Sequence, residues 1–199
     1  MREDFLVFGS PLISEAEIAE VADSLRSGWI GTGPKVQRFE RMLSDYVGVA
    51  HMRCVSSCTA ALMLAMKTLG LGHGDEVLVP AMTFVASANA VIHAGATPVL
   101  VDCEPGTQLI DLAAAERAIT PHTKAIMPVH FAGRPVDMDA LNRLRDERGL
   151  MVVEDAAHAL GACWQGRQIG SFGNLTAYSF YVTKNITTSE GGALASGVE

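Results

Sequence analysis

Hydrophobic and polar positions change rhythm about fifty residues into the chain. Ser14-x-x-Glu17 forms a capping box, in which each side chain satisfies the other residue's free backbone N–H. Ile18, Val21, Ala22 and Leu25 follow at helical spacing on one face, and Gly28 ends the run. A Gly-rich turn comes next, Gly28-Trp29-Ile30-Gly31-Thr32-Gly33-Pro34. The spacing of Val36, Phe39, Leu43 and Tyr46 then predicts a second amphipathic helix ending at Gly48. Residues 1–50 read as a helical lead-in that packs on something larger, and residues 51–199 as the main domain.

From there short β-rich runs recur: Arg53–Ser56, Glu76–Pro80, Pro98–Asp102, Ala125–His130, Met151–Glu154, Leu175–Phe180 and Gly192–Ser196. Helical segments are predicted between most of them, at Thr59–Leu69, at Phe84–His93, after an Asp111 cap and after an Asp137 cap. The strand runs are almost continuously apolar rather than alternating, as burial on both faces requires. Apolar strands alternating with helices predict an α/β fold, with a mostly parallel seven-stranded sheet and helices on both faces. The chain stops directly after the seventh run, so a fragment of something longer is expected.

Composition narrows the function. Among 199 residues 49% are hydrophobic and 19% charged, enough to bury a core and exclude a disordered chain. Lys plus Arg is 15 against 22 for Asp plus Glu, a net charge of -7, and no basic run appears. Nucleic acid is therefore not an expected partner. No apolar stretch approaches the roughly 20 residues of a membrane span. The start, MREDFLVFGS, carries acids where a secretion signal carries bases, so a cytoplasmic protein is expected. Cys54, Cys58, Cys103 and Cys163 have no metal-ligand spacing and read as reduced, buried thiols, with no metal expected.

In an open α/β sheet, ligands collect beyond the carboxyl ends of the strands. Four unusual segments lie there. Ser56-Ser57-Cys58-Thr59 places small polar residues before a long helix, where free N–H groups bind an anion or where Ser simply caps the helix. Glu154-Asp155-Ala156-Ala157-His158 ends a buried strand in two acids, each of which needs a partner. One can hold a protonated ring nitrogen, or merely cap the next helix. Lys184 is one of only four lysines and has almost no charged neighbour in sequence, a setting for an amine nucleophile, although lysines are more often solvated. Phe84 offers an aromatic face for a planar ligand, or plain core packing. Phosphate donors, a ring-nitrogen acid, a stacking ring and an amine together match pyridoxal 5'-phosphate.

With these residues the chain resembles the DegT/DnrJ/EryC1/StrS aminotransferases, which act on nucleotide-linked keto-sugars. Ser27-Gly-Trp-Ile-Gly-Thr-Gly-Pro34, Gly74-Asp-Glu-Val-Leu-Val-Pro80 and Gly95-Ala-Thr-Pro-Val-Leu-Val-Asp102 carry the resemblance. So do Pro128-Val-His-Phe-Ala-Gly133, Glu154-Asp-Ala-Ala-His158 and the lysine segment ending Glu190-Gly-Gly192. The Gly-Trp-Ile turn and Lys-Asn-Ile-Thr segment are most similar to the branch that makes 4-amino-4-deoxyarabinose. The resemblance implies a pyridoxal-phosphate fold of type I and a homodimer. It further implies a transfer of the amino group of a donor such as glutamate to the keto carbon of the sugar. By matching position, Lys184 would hold the cofactor aldehyde and shuttle the proton, and Asp155 would pair with the pyridine nitrogen. Thr59 with neighbouring amides, Cys58 among them, and Ser179 would bind the phosphate. Phe84 would stack on the ring, His158 would stand near the ring hydroxyl, and Trp29, Ile30, Gly31 and Thr32 would approach the sugar nucleotide. A histidine in place of the lysine marks a sugar dehydratase branch, which Lys184 argues against. Family members are nearly twice this length and carry a small C-terminal domain that is missing here, which leaves a non-catalytic cofactor-binding or dimerising remnant as the alternative. A Rossmann oxidoreductase is excluded, since G-x-G-x-x-G is absent after the first strand.

Overall fold

The computed structural model describes residues 9–197, so the acidic start and the Val198-Glu199 end lie outside the described residues. Two helices lead in, α1 (Glu15–Ser27) and α2 (Pro34–Val47). The main body then alternates β1 (His51–Val55), α3 (Cys58–Thr68), β2 (Glu76–Pro80), α4 (Ala86–Ala94) and β3 (Thr97–Val101). It continues through α5 (Leu112–Arg117), β4 (Thr123–Ile126), α6 (Met138–Arg148) and β5 (Met151–Asp155). After a short hairpin, β6 (Cys163–Trp164) and β7 (Arg167–Gln168), come β8 (Leu175–Ser179) and β9 (Gly192–Ser196).

Seven strands form one sheet in the order β1-β9-β8-β5-β4-β2-β3. Only β9 runs antiparallel, against both β1 and β8; the other pairings are parallel. Side chains alternate between faces along each strand, and both faces are covered. Val77, Val79, Met127, Val153 and Ala177 pack with Leu62, Met66 and Val91 of α3 and α4. Their sequence neighbours Leu78, Ile126, Val152 and Tyr178 pack on the other side with Leu43, Val47, Met138 and Leu141 of α2 and α6. Burial on two faces is why these strands are continuously apolar, as the sequence predicts. Helix ends follow their signals too: Asp111 and Asp137 cap α5 and α6 through their side chains, and Gly149 closes α6 in the left-handed conformation.

Two expectations need correction. The α1 stripe is not buried: Ile18, Val21 and Leu25 are 52%, 61% and 65% exposed, and no residue of that helix is buried. Helical spacing creates an apolar face but does not supply what covers it. Instead α1 is tied through surface pairs, Lys35 to Glu20 at 2.6 Å and to Asp23 at 2.8 Å. Of the four cysteines only Cys58 is buried: Cys54 and Cys103 are partly buried, and Cys163 is exposed because its β6–β7 hairpin stands outside the main sheet. None of the cysteines is in a disulfide, and no metal-ligand cluster occurs among the described residues. No helix among them is long and apolar enough to cross a membrane.

Candidate active site

The carboxyl ends of β2, β4, β5 and β8, with the start of α3, surround a cavity of ≈ 730 Å³. Cys58, Thr59, Phe84, Asp155, His158, Ser179 and Lys184 all line it. Residues 126 positions apart in sequence, from Cys58 to Lys184, thus meet in one place because parallel strands bring their ends to a common edge. The Trp29–Thr32 turn is not part of that wall. It closes on itself, with the Trp29 indole N–H donating to the Thr32 carbonyl at 3.0 Å, and both Trp29 and Ile30 are largely exposed.

One wall is the start of α3. Ser57 caps it, its Oγ accepting from the Ala60 N–H at 3.1 Å, which is the cap reading of this segment. The first N–H groups of a helix have no intrahelical acceptor, and they carry the positive end of its dipole. Gly192 on β9 makes the arrangement possible. A Cβ there would lie 2.4 Å from the Ser57 carbonyl carbon and 2.5 Å from the Cys58 nitrogen. Burial, then the negative charge of Asp155, pushes the Cys58 thiol far above its ordinary value, with Lys184 opposing. It is a packing group here, not a thiolate.

The floor is the end of β5. Asp155 is 4% exposed, and its two oxygens accept from the Ser87 hydroxyl at 2.7 Å and the Ala157 N–H at 3.1 Å. A turn rather than a helix follows, so Asp155 caps a turn and still faces the cavity. Glu154, one residue earlier, points to the opposite face, fully buried against His130 and Asn174. Both acids therefore have the partners that burial demands.

His158 follows on the turn. Its Nδ1 accepts from the Ala132 N–H at 3.2 Å, which leaves the ring proton on Nε2. Desolvation first, then the positive charge of Lys184, holds its pKa below the ordinary value, with Asp155 opposing. The neutral imidazole is the form this site favours.

Lys184 sits in the loop that joins β8 to β9. Its N–H donates to the Tyr181 carbonyl at 2.9 Å, and the loop is closed by Phe180 N–H to the Gly191 carbonyl at 2.9 Å and Thr188 N–H to the Phe180 carbonyl at 3.0 Å. The side chain is half-buried, and its ammonium has no hydrogen bond or ion pair among the described residues. Phe84 is 74% exposed at the cavity mouth, two residues before α4 begins, so core packing does not account for it. Sequence reasoning missed Ser87, His130, Tyr181 and Glu190. Ser87 had a weak signal, a hydroxyl four residues after Thr83 near the start of an apolar helix, where the two hydroxyls lie 2.6 Å apart. His130 had one in its place at the end of a strand run.

An unpartnered amine, a buried carboxylate, a neutral imidazole and the N-terminus of a helix can together hold an anionic, carbonyl-bearing ring compound. Comparison with known proteins bears on the same residues. SpsC, a spore coat polysaccharide biosynthesis protein of Bacillus subtilis, is 50% identical over 198 residues, covering 100% of this chain and 51% of SpsC. MJ1066 of Methanocaldococcus jannaschii is 45% identical over 199 residues, 100% of this chain and 52% of MJ1066. Spr1654 from Streptococcus pneumoniae, in its PLP-form, superposes with a TM-score of 0.94 at 43% identity, over 98% of this chain and 53% of Spr1654. The chain spans about half the length of each of these relatives. The family model for DegT/DnrJ/EryC1/StrS aminotransferases matches residues 11–197, a stretch that runs unbroken through the α3 cap, the Asp155 strand and the Lys184 loop. By that match the chain belongs to the DegT/DnrJ/EryC1/StrS aminotransferase family.

Proposed function

We propose that this chain is the cofactor-binding half of a pyridoxal-phosphate-dependent sugar aminotransferase. Its acceptor is a nucleotide-linked keto-sugar, its amino donor is glutamate, and it works in the cytoplasm as a homodimer. The observation that carries this is the meeting of Lys184, Asp155 and the α3 N-terminus in one cavity. Spr1654, solved in PLP- and PMP-forms, supports the cofactor. The name of SpsC supports a sugar acceptor destined for a surface polysaccharide.

The residues present fit the cofactor by the chemistry of their donor set: an amine for its aldehyde, an acid for its ring nitrogen and free N–H groups for its phosphate. Bound there, pyridoxal 5'-phosphate supplies the aldehyde and an electron-accepting ring. Lys184 would hold the cofactor through its aldehyde and, once its Nζ is free again, would move the proton at the reacting carbon. Asp155 keeps a proton on the ring nitrogen, its own orientation fixed by Ser87 and Ala157. Cys58 and Thr59 with their amides, and Ser179, hold the phosphate. Phe84 gives a face for stacking, and the His158 Nε2–H is free to donate to the ring hydroxyl. The Trp29–Thr32 turn, outside the cavity, is assigned to the sugar nucleotide alone.

Glutamate added to the cofactor-loaded chain should release 2-oxoglutarate in one equivalent, and a keto-sugar nucleotide should then make the release continuous. The rival reading is a non-catalytic cofactor-binding or dimerising remnant. Cofactor bound tightly with no 2-oxoglutarate released would establish the rival.

A further inference from the structure

Glu154 is a second acid at the same strand end, and the chemistry above gives it no task. Its side chain is wholly buried, as is that of His130. A buried carboxylate is costly unless its lone pairs are met, and well-packed apolar residues commonly replace such groups without loss of stability. Its presence here therefore calls for a role other than stability.

The hydrogen bonds around it allow one arrangement only. The Arg145 guanidinium donates to Asn174 Oδ1 at 2.9 Å, which turns the Asn174 amide so that Nδ2 donates to Glu154 Oε1 at 2.8 Å. On the other side, the Val136 N–H donates to His130 Nδ1 at 3.1 Å. The ring proton is thus on Nε2, 2.9 Å from Glu154 Oε2. Neither partner can turn round, so Glu154 must accept on both oxygens.

His130 connects this pair to the cavity. Its N–H donates to the Asp155 carbonyl at 3.0 Å, and its ring spans back to Val136. Between them runs a tight 3₁₀ turn, Phe131–Gly133, with Ala132 at φ 53°, a left-handed conformation that a non-glycine residue adopts only when its surroundings impose it. The Ala132 N–H is the group that donates to His158 Nδ1.

We propose that Glu154 and His130 are a positioning pair: Glu154 fixes the His130 ring, the ring fixes the 131–136 loop, and the loop presents His158 beside Asp155. The inference rests on the pyridoxal-phosphate reading for its effect on binding, but not for its effect on His158.

The test uses the 199-residue chain and three variants. Glu154→Gln keeps size but offers an amide N–H to a donor that cannot turn. It should weaken pyridoxal 5'-phosphate about tenfold in equilibrium dialysis, the usual scale for a supporting residue behind a binding group. It should also shift the pH at which the bound cofactor changes colour. His130→Gln retains one donor and one acceptor and should stay close to wild type, whereas His130→Leu should resemble Glu154→Gln. Should Glu154→Gln fail to fold, the contrast between the two His130 variants decides. Histidine ¹⁵N shifts of the chain without cofactor give a second readout: His130 as the Nε2–H tautomer, with the His158 signals displaced in the Glu154 or His130→Leu variant. Wild-type affinity in Glu154→Gln, His130→Gln as weak as His130→Leu, or unmoved His158 signals would each overturn the pair. A wild-type chain that binds no cofactor while His158 still responds would overturn the functional reading and leave the pair standing.

Discussion

At the scale of single residues the site depends on hydrogen bonds that make buried polar groups tolerable. Ser87 is fully buried and spends its hydroxyl on Asp155 and Thr83. Ser87→Ala should lower the unfolding free energy by about 2 kcal/mol, the range for a bond to a charged group, as read by urea titration. His158 gives a pH effect with a definite sign. Its folded pKa lies below the ordinary 6.5, so the unfolded chain takes up a proton first as pH falls. Stability is then lost as pH drops through about 6.5, and His158→Gln should flatten that part of the urea-midpoint profile between pH 7.5 and 5.5. Lys184 and Asp155 could be singled out from sequence because charge is scarce around one and unexpected at the end of an apolar strand for the other. Ser87 and His130 could not, since a serine in an apolar helix and a histidine after a strand look ordinary until the fold brings an acid to each.

Elements obey their sequence signals closely where both partners of a contact belong to this chain. All seven strands of the sheet, and the caps at Ser14, Asp111 and Asp137, were readable, because capping, and two-faced burial in the strands between the edges β1 and β3, leave marks within a few residues. Exceptions arise where local spacing does not decide what covers an element. The α1 stripe has the right spacing and no cover among the described residues. Replacing Val21 or Leu25 by Gln should therefore change the stability of this chain by less than about 0.5 kcal/mol, against several for a buried residue such as Leu62. The hairpin of β6 and β7 escaped notice because two-residue strands show no periodicity. At the junction of β9 with α3, Gly192→Ala would force a methyl into the backbone of Ser57 and Cys58. A destabilisation of about 3 kcal/mol is expected, together with weakened phosphate binding, checked by calorimetry and by competition with inorganic phosphate.

The described residues form a two-faced sheet whose strand ends deliver an amine and an acid, beside a helix N-terminus, to one cavity, in a chain that spans half the length of its relatives. Fold class and family could be read from sequence because the motifs lie at strand ends in a fixed order. The location of the Trp29–Thr32 turn outside the cavity could not, since it depends on how α1 and α2 sit against the sheet. The most direct test of the account is to add pyridoxal 5'-phosphate to the chain, reduce with borohydride, digest, and map the modified peptide by mass spectrometry. The account expects the reduced cofactor on Lys184 alone, and none in Lys184→Ala. Modification at Lys35, Lys67 or Lys124 instead, or an unmodified Lys184 at saturating cofactor, would contradict it.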